Sequence, residues 1–277
     1  MESALLRHIR AVHSATLPGR RLRLTLGCAV IGYVERDFAE RLLAFPAFWR
    51  VDDSLACGDP AALQDAARRL ADAGLLVWRG EAFDVRADPD GPVLAQLDRG
   101  ALPQFGVAAV GVHLNGILRR EDGLHIWVGY RSADRLLDPG KLDNIVAGGV
   151  PAGHDPQGTL IKEGEEEAAI PASLMKGAVE VGRIAYAMER QEGLRRDLLH
   201  CYDLELPADF KPLSVDGEID RFELWPAARV VVRVRDTDDF KFNVNLVLID
   251  LFIRHGLLLA DEAAALRRAL DQPGGFG

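Results

Sequence analysis

Three glutamates at helical spacing are the strongest chemical signal in the sequence. Glu163, Glu166 and Glu167 stand at positions i, i+3 and i+4, so a helix through them places the three carboxylates on one face. Like charges this close repel one another, and a divalent cation between them removes the repulsion. Mg²⁺ and Mn²⁺ prefer oxygen ligands and bridge to phosphate groups. The spacing therefore predicts a divalent-metal site, and the alternative for such an acidic run is a solvated helix face.

The segment before these glutamates is rich in glycine and proline. Residues 138–158 are predicted as a loop and residues 159–169 as the acidic helix, which ends before Pro171. Gly148 and Gly149 lie in the loop and have no side chain, so the backbone there can approach a metal ion and a phosphate closely. We therefore predict that both glycines contact the substrate.

Further residues are candidates for the same site. Glu218 follows Asp216 in a predicted turn, and it is either a solvated acid or an acid that reaches the metal or acts as a base. Lys241 precedes an apolar stretch, where it either binds a phosphate or is solvated at a helix N-terminus. Trp127 either contacts the substrate or packs in the core. Arg131 is also predicted to contact the substrate.

The elements that position these residues fall into two predicted units. Residues 1–102 are predicted as an α+β accessory unit without catalytic spacing, which opens with a surface helix. In this unit Asp59 and Pro60 begin a helix that ends at Gly74, and a hairpin is predicted around Arg79 and Gly80.

The second predicted unit, residues 103–277, carries the candidate site. An apolar strand at 107–114 is followed by Asn115-Gly116, which is typical of a hairpin turn. A further strand is predicted at 124–130 and a buried helix at 243–254.

Composition limits the classes of function. The chain has 277 residues, of which 48% are hydrophobic and 27% charged, as in ordinary globular proteins. It has 33 basic and 42 acidic residues and a net charge of −9, which argues against a nucleic-acid binder. The three cysteines lie far apart, so no disulfide framework is expected. No segment reads as a signal peptide or a membrane span, so we expect a cytoplasmic protein without a membrane partner.

The glutamate motif resembles the signature of the Nudix hydrolases. That signature runs from a glycine, here Gly148, through an upstream glutamate to Arg-Glu-aliphatic-x-Glu-Glu-x-Gly-aliphatic, which aligns with KEGEEEAAI at 162–170. The departures are His154 at the upstream glutamate, Lys162 at the arginine, Gly164 at the first aliphatic residue and Ala169 at the late glycine. Further blocks resemble the Nudix subgroup that is associated with thiamine pyrophosphokinase: 104–116, 139–149, 202–207, 216–219 and 240–256.

The resemblance implies an α+β protein: a Nudix α/β/α sandwich with a mixed sheet, preceded by a small α+β domain. It implies Mg²⁺- or Mn²⁺-dependent hydrolysis of a small-molecule organic diphosphate to the monophosphate and phosphate, with thiamine diphosphate or a damaged analogue as the first candidate substrates. Glu163, Glu166 and Glu167 would hold the metal, with Glu163 as the first choice of base and Glu218 as the second. The alternatives are a pyrophosphatase for nucleoside diphosphate derivatives and a non-catalytic ligand-binding module. A homodimer is left open.

Overall fold

The structure is a computed structural model that describes residues 3–134 and 137–274. Its helices are α1 (Leu6–Val12), α2 (Arg36–Leu42), α3 (Pro60–Asp72), α4 (Leu102–Phe105), α5 (Pro156–Ala168), α6 (Ala172–Met175), α7 (Ala227–Asp236), α8 (Val244–Arg254) and α9 (Ala260–Leu270). Its strands are β1 (Leu22–Leu26), β2 (Ala29–Val34), β3 (Phe48–Val51), β4 (Ser54–Cys57), β5 (Ala82–Val85), β6 (Ala95–Asp98), β7 (Ala108–Arg120), β8 (Gly123–Arg131), β9 (Leu142–Asp143), β10 (Val146–Gly149), β11 (Val179–Arg190), β12 (Gly193–Glu205) and β13 (Ile219–Pro226). Among these residues, no helix is long and apolar enough to cross a membrane.

A seven-stranded mixed sheet forms the centre of the C-terminal unit. Its main path is β11-β12-β7-β8-β13, with β10 paired to β7 and β9 paired to β8. Strands β12 and β7 are parallel, whereas the other pairs are antiparallel. Apolar side chains of α1, α7, α8 and α9 form one core cluster with the sheet, and those of α5 and α6 form another. The predicted α+β class and mixed sheet are therefore confirmed.

The N-terminal unit has its own sheet and core. Strands β2-β1-β4-β3 form a four-stranded sheet, and β5 and β6 form a separate hairpin. Apolar residues between Leu22 and Val107 make one core cluster with α2, α3 and α4. The predicted boundary at 102/103 stays a prediction. Helix α1 packs in the core of the other unit, where Leu5, Ile9 and Val12 are fully buried.

The hairpin turn predicted at Asn115-Gly116 is wrong, because both residues lie inside the continuous strand β7. The turn comes at 121–122. Asn115 is buried, and its amide donates to an Asp203 oxygen at 2.9 Å. A Cβ at Gly116 would lie 3.0 Å from an Ile145 side-chain carbon, so close packing selects this glycine. Here the asparagine-glycine pair serves packing and polar contacts within a strand.

The hairpin predicted around Arg79-Gly80 is also wrong. Strand β5 pairs instead with β6, across residues 86–94. The backbone N–H groups of Arg79, Gly80 and Glu81 donate to the buried carboxylate of Asp98, so this segment is a loop fixed by a side chain. A side-chain anchor of this kind leaves no local pattern in the loop sequence.

Helix α5, which carries the glutamates, begins three residues before its predicted start. Pro156 occupies the first turn, and the Asp155 carboxylate caps the helix by accepting from the Gly158 N–H at 2.8 Å. The last residue of the helix is Ala168, and the residue that caps it, Ala169, adopts a left-handed conformation with φ 51°. A Cβ at Gly164 would lie 2.8 Å from the Met175 Sδ, so the absent aliphatic side chain is replaced by Met175 of α6.

Candidate active site

Glu167 joins α5 to the strand beside it. Its side chain is 4% exposed, and one carboxylate oxygen accepts from the Ala147 N–H of β10 at 2.9 Å. Burial is the main cause that raises the pKa of Glu167 well above its usual value, and the neighbouring carboxylates of Asp143, Glu163 and Glu218 add to it. A buried carboxylate in such surroundings is stabilised in its charged form by a cation.

Two acids from the turn before β13 meet Glu167. One oxygen of each of Glu167, Asp216 and Glu218 lies within 4.8 Å of the other two. The turn is closed because the Glu218 N–H donates to an Asp216 oxygen at 2.8 Å, and Gly217 adopts a positive φ of 78°. The structure thus brings the predicted residues Glu167 and Glu218 together, and it adds Asp216, which the sequence presented only as part of a turn.

Glu163 and Glu166 lie on the same helix but in different surroundings. Glu163 is 19% exposed and packs on Gly148, where a Cβ would lie 2.7 Å from its Cγ. Burial raises the pKa of Glu163, and Glu166 and Glu218 raise it further against the effect of Lys162. Glu166 is 50% exposed, and its carboxylate contacts the Lys162 Nζ at 2.5 Å. The metal-binding and catalytic roles of Glu163 and Glu166 stay predictions.

The acidic cluster fits a hard divalent cation. Glu167 supplies a buried oxygen, and Asp216 and Glu218 supply oxygens from outside the helix. Glu163 lies close enough to Glu218 for the charge of Glu218 to raise the pKa of Glu163. Several carboxylate oxygens around one point are the ligand set that Mg²⁺ and Mn²⁺ prefer. Which of these metals binds stays a prediction.

A cavity of about 740 Å³ opens beside the cluster, between the two units. Its wall includes Gly148, Gly149 and Glu218 from the predicted site. Among the described residues, seven basic and five acidic side chains line it, so the cavity is basic although the chain is acidic. The basic residues are Arg79, Arg99, Arg131, Arg190, Arg195, Arg196 and Lys241. This local charge suits an anionic ligand.

Two of the predicted substrate contacts share one buried carboxylate at the cavity wall. The Arg131 Nη1 donates to Asp143 at 2.6 Å, and the Lys241 Nζ lies 3.5 Å from the same oxygen. Burial alone would raise the pKa of Asp143, but Lys241 and Arg131 hold it below its usual value. Burial lowers the pKa of Lys241, which Asp143 partly offsets. Two cations and one anion leave a net positive charge for a phosphate.

A chain of buried amides fixes the orientation of His113 in the same wall. The Asp203 carboxylate only accepts, so the Asn115 amide donates to it at 2.9 Å. Asn144 then donates to the Asn115 oxygen at 2.8 Å, and its own oxygen lies 2.9 Å from the His113 Nδ1. His113 therefore carries its proton on Nδ1, and Nε2 accepts from Asn243 at 3.3 Å. Burial is the main cause that lowers the pKa of His113 to about 4, so the ring is neutral.

The predicted aromatic contact, Trp127, and two aromatic neighbours on β8 and β13 are absent from the described lining of the cavity. Trp127 belongs to the core cluster beside α5, and it is absent from the described residues that line the cavity. Tyr130 stacks with Arg221 at 3.5 Å, and Trp225 is buried in the opposite core cluster. The substrate contact predicted for Trp127 therefore lacks support from its position. Among the described lining residues the aromatic side chain is Phe83, from the N-terminal unit.

A comparison with curated proteins finds Nudix hydrolase 20, chloroplastic, from Arabidopsis thaliana, which is 36% identical over 256 residues. The alignment covers 86% of this chain and 68% of that protein. The chain belongs to the Nudix hydrolase family. The prediction of a hydrolase is thereby confirmed at the level of the family. Nudix hydrolase 24, chloroplastic, from the same plant is 41% identical over 188 residues, which cover 68% of this chain and about half (52%) of that relative.

The N-terminal unit matches a separate family model. A domain of unknown function, DUF4743, matches residues 4–109.

Among solved structures, DR0079 from Deinococcus radiodurans is similar to this chain, with a TM-score of 0.46 and 20% identity, over 68% of this chain and 99% of that one. The narrower resemblance to the Nudix subgroup of thiamine pyrophosphokinase stays a prediction.

Proposed function

We propose that the protein hydrolyses an organic diphosphate with the help of a divalent metal, giving an organic monophosphate and phosphate. The observation that carries this proposal is the cluster of Glu167, Asp216 and Glu218 at the edge of a basic cavity. Mg²⁺ or Mn²⁺ held there would neutralise phosphate charge and lower the pKa of a bound water. Membership of the Nudix family supports the class of reaction.

Other residues of the chain bind the phosphate groups and accept the proton of the attacking water. Lys241 and Arg131 bind phosphate oxygens from the wall, because together they carry more charge than Asp143 neutralises. Glu167, Asp216 and Glu218 form the acidic cluster without Glu163. The Glu163 carboxylate is therefore free to take the proton of the attacking water. Burial raises the pKa of Glu163, and a raised pKa makes a carboxylate a stronger base. Glu218 is the second choice for this role.

Thiamine-type diphosphates are the first substrates to test, on the strength of the subgroup resemblance. The net charge of the whole chain does not oppose a cationic thiazolium ring, but the arginines that line the cavity do. We therefore propose a preference for damaged analogues whose ring has lost its positive charge. A nucleoside diphosphate derivative is the second candidate, because a neutral base satisfies the same condition.

Chromatography of the products formed with Mg²⁺ tests this function, because ADP-ribose would give two organic monophosphates and a nucleoside triphosphate can release pyrophosphate, neither of which a phosphate assay detects. The panel contains thiamine diphosphate, a neutral-ring analogue, ADP-ribose and a deoxynucleoside triphosphate. A kcat/KM at least about tenfold higher for a thiamine-type compound, about 1.4 kcal/mol, supports the substrate class. A tenfold preference for either nucleotide overturns that class and keeps the hydrolase. Absence of hydrolysis products from every compound in the panel contradicts the proposed function.

Single variants on and beside α5 test the metal site. We expect Glu167→Gln and Asp216→Asn to weaken Mn²⁺ binding at least about tenfold. Glu165→Gln is the matched control, because Glu165 is exposed on the same helix and contacts only the Ala172 N–H among the described residues. Glu166→Gln should weaken Mn²⁺ binding if the ligands are those predicted from the sequence. It should leave Mn²⁺ binding unchanged if the ligands are Glu167, Asp216 and Glu218. Equal Mn²⁺ binding by wild type and Glu167→Gln would refute the site. The cytoplasmic location and a homodimer stay predictions from the sequence.

A further inference from the structure

A buried carboxylate fixes one loop of the N-terminal unit. Asp98 is fully buried, and its two oxygens accept from the backbone N–H groups of Arg79 at 2.9 Å, Gly80 at 2.8 Å, Glu81 at 3.1 Å and Gly100 at 2.9 Å. Four donors satisfy a charge that would otherwise be costly to bury. The loop at 79–81 and the turn at 98–100 are therefore held as one rigid unit.

The loop at 79–81 and the turn at 98–100 carry charged side chains that line the cavity. Arg79, Glu81 and Arg99 all line it, and the Arg99 Nη1 donates to Glu81 at 2.9 Å. The Arg99 guanidinium also lies over the Phe83 ring, 5.6 Å from its centroid. These two contacts hold the guanidinium in one place. Among the described residues, Glu81 is the carboxylate that pairs with Arg99, and none pairs with Arg79.

The same unit lies against the strand that leads to the acidic cluster. A Cβ at Gly149 would lie 2.6 Å from the Phe83 ring and 3.7 Å from the Arg99 guanidinium carbon. The neighbouring residue in β10 is Gly148, against which Glu163 packs. Arg99 is therefore one strand position away from the residue that contacts the proposed base.

Two hydrogen bonds join the N-terminal unit to the loop that precedes α5 in the C-terminal unit. The Ala152 N–H donates to the Ala82 oxygen at 2.8 Å, and the Gly153 N–H donates to the Asp84 carboxylate at 3.3 Å. Both donors lie in the loop between β10 and α5. The arginines consequently keep a fixed distance from the helix that carries the glutamates, as a preorganised binding site requires.

We propose that Arg99 and Arg79 form a phosphate-binding subsite, which the N-terminal unit adds to the cavity beside the acidic cluster. Guanidinium groups bind phosphate oxygens in a bidentate manner, and Arg99 is already oriented by Glu81 and Phe83. The subsite recognises the group that all diphosphate substrates share, so it sets affinity for the whole class. This inference rests on the proposed function.

Kinetics of the full-length chain test the subsite. We expect Arg99→Gln to raise KM at least about tenfold while kcat changes less than about threefold, with a smaller KM effect for Arg79→Gln. The inhibition constant for inorganic phosphate should rise with KM. Glu81→Gln should lower KM, because its amide oxygen can keep the hydrogen bond that orients Arg99 while the negative charge that competes with phosphate is removed. A general loss of structure would not change KM in opposite directions. Arg23→Gln is the matched control, since Arg23 is an exposed arginine of the same unit outside the cavity.

The outcomes separate this inference from the proposed function. If wild type is active and the Arg79/Arg99 double variant keeps KM and phosphate inhibition within twofold, the subsite is refuted and the hydrolase stands. An equal effect of Arg23→Gln and Arg99→Gln also refutes it. If wild type hydrolyses no diphosphate, the proposed function fails, and calorimetric titration of the full chain with inorganic pyrophosphate decides. Weaker binding by Arg99→Gln supports the subsite, and equal binding overturns it.

Discussion

Gly148→Ala is the substitution that most directly tests how the site is positioned. The added Cβ would lie 2.7 Å from the Glu163 Cγ and 2.8 Å from its Cδ, whereas ordinary contacts begin at 3.4 Å. Glu163 must withdraw by about 0.7 Å or more. Misplacement of a reacting group by about 1 Å costs about 10²-fold in rate, or about 2.7 kcal/mol of transition-state stabilisation. Because Glu163 is partly exposed and can rotate away, we expect less than about 1 kcal/mol loss of folding stability.

The assay compares kcat and the free energy of unfolding in wild type, Gly148→Ala and Gly182→Ala. Gly182 is the matched control, because a Cβ there would meet no atom within 4 Å and its φ is not positive. We expect a large loss of kcat in Gly148→Ala alone, with a free energy of unfolding within about 1 kcal/mol of wild type. If Gly148→Ala keeps kcat within about threefold of wild type at saturating metal, Glu163 does not act from its observed position, and the argument for it as base is refuted.

Three further outcomes follow from other contacts. His113 should stay neutral with its proton on Nδ1 down to pH 5, as ¹⁵N NMR titration can show; a midpoint above 6 would contradict the buried amide chain. Because the folded pKa of about 4 lies below the unfolded value of 6.5, His113 contributes about 3 kcal/mol of stability above pH 6.5, which is lost as the pH falls to about 4. Ala169→Gly should raise the free energy of unfolding by about 0.5 to 1 kcal/mol in urea titration, because it relieves an alanine at φ 51°; an unchanged midpoint would show that the strain is absorbed elsewhere. Deletion of residues 1–13 should cost at least about 4 kcal/mol, because Leu5, Ile9 and Val12 are buried in the C-terminal core; a shortened chain as stable as wild type in thermal melts would overturn that assignment of α1.

Local patterns in the sequence predicted the elements that carry the site. The acidic helix α5 and the apolar helix α8 have periodicity or caps that are visible without neighbours. The loop predicted at 138–158 is wrong in part, because β9 and β10 lie inside it and are held by pairing with the distant strands β8 and β7. The capping of α3 by Asp59 is confirmed, since its carboxylate accepts from the Ala61 N–H at 3.0 Å. Where a feature depends on residues close in the chain, sequence reasoning reached it.

Features that depend on distant residues were missed. Asp216 becomes part of the acidic cluster only because the turn before β13 meets α5, about 50 residues earlier in the chain. Asp98 fixes a loop through four backbone donors that no spacing rule describes. Asn115 and Gly116 form a strong turn signal, but tertiary packing places them inside a strand. In each case the decisive partner lies on another element.

Three of the four departures from the Nudix signature, Lys162, Gly164 and Ala169, are accommodated by the local structure of α5. Met175 fills the space beside Gly164, and Lys162 pairs with Glu166 on the exposed side of α5. Ala169 ends the helix in the conformation that a glycine would adopt more easily. None of these three residues belongs to the cluster of Glu167, Asp216 and Glu218. The changes therefore alter the packing and the end of α5 and leave the acidic oxygens in place. This is expected of a working hydrolase and not of a binding module derived from one.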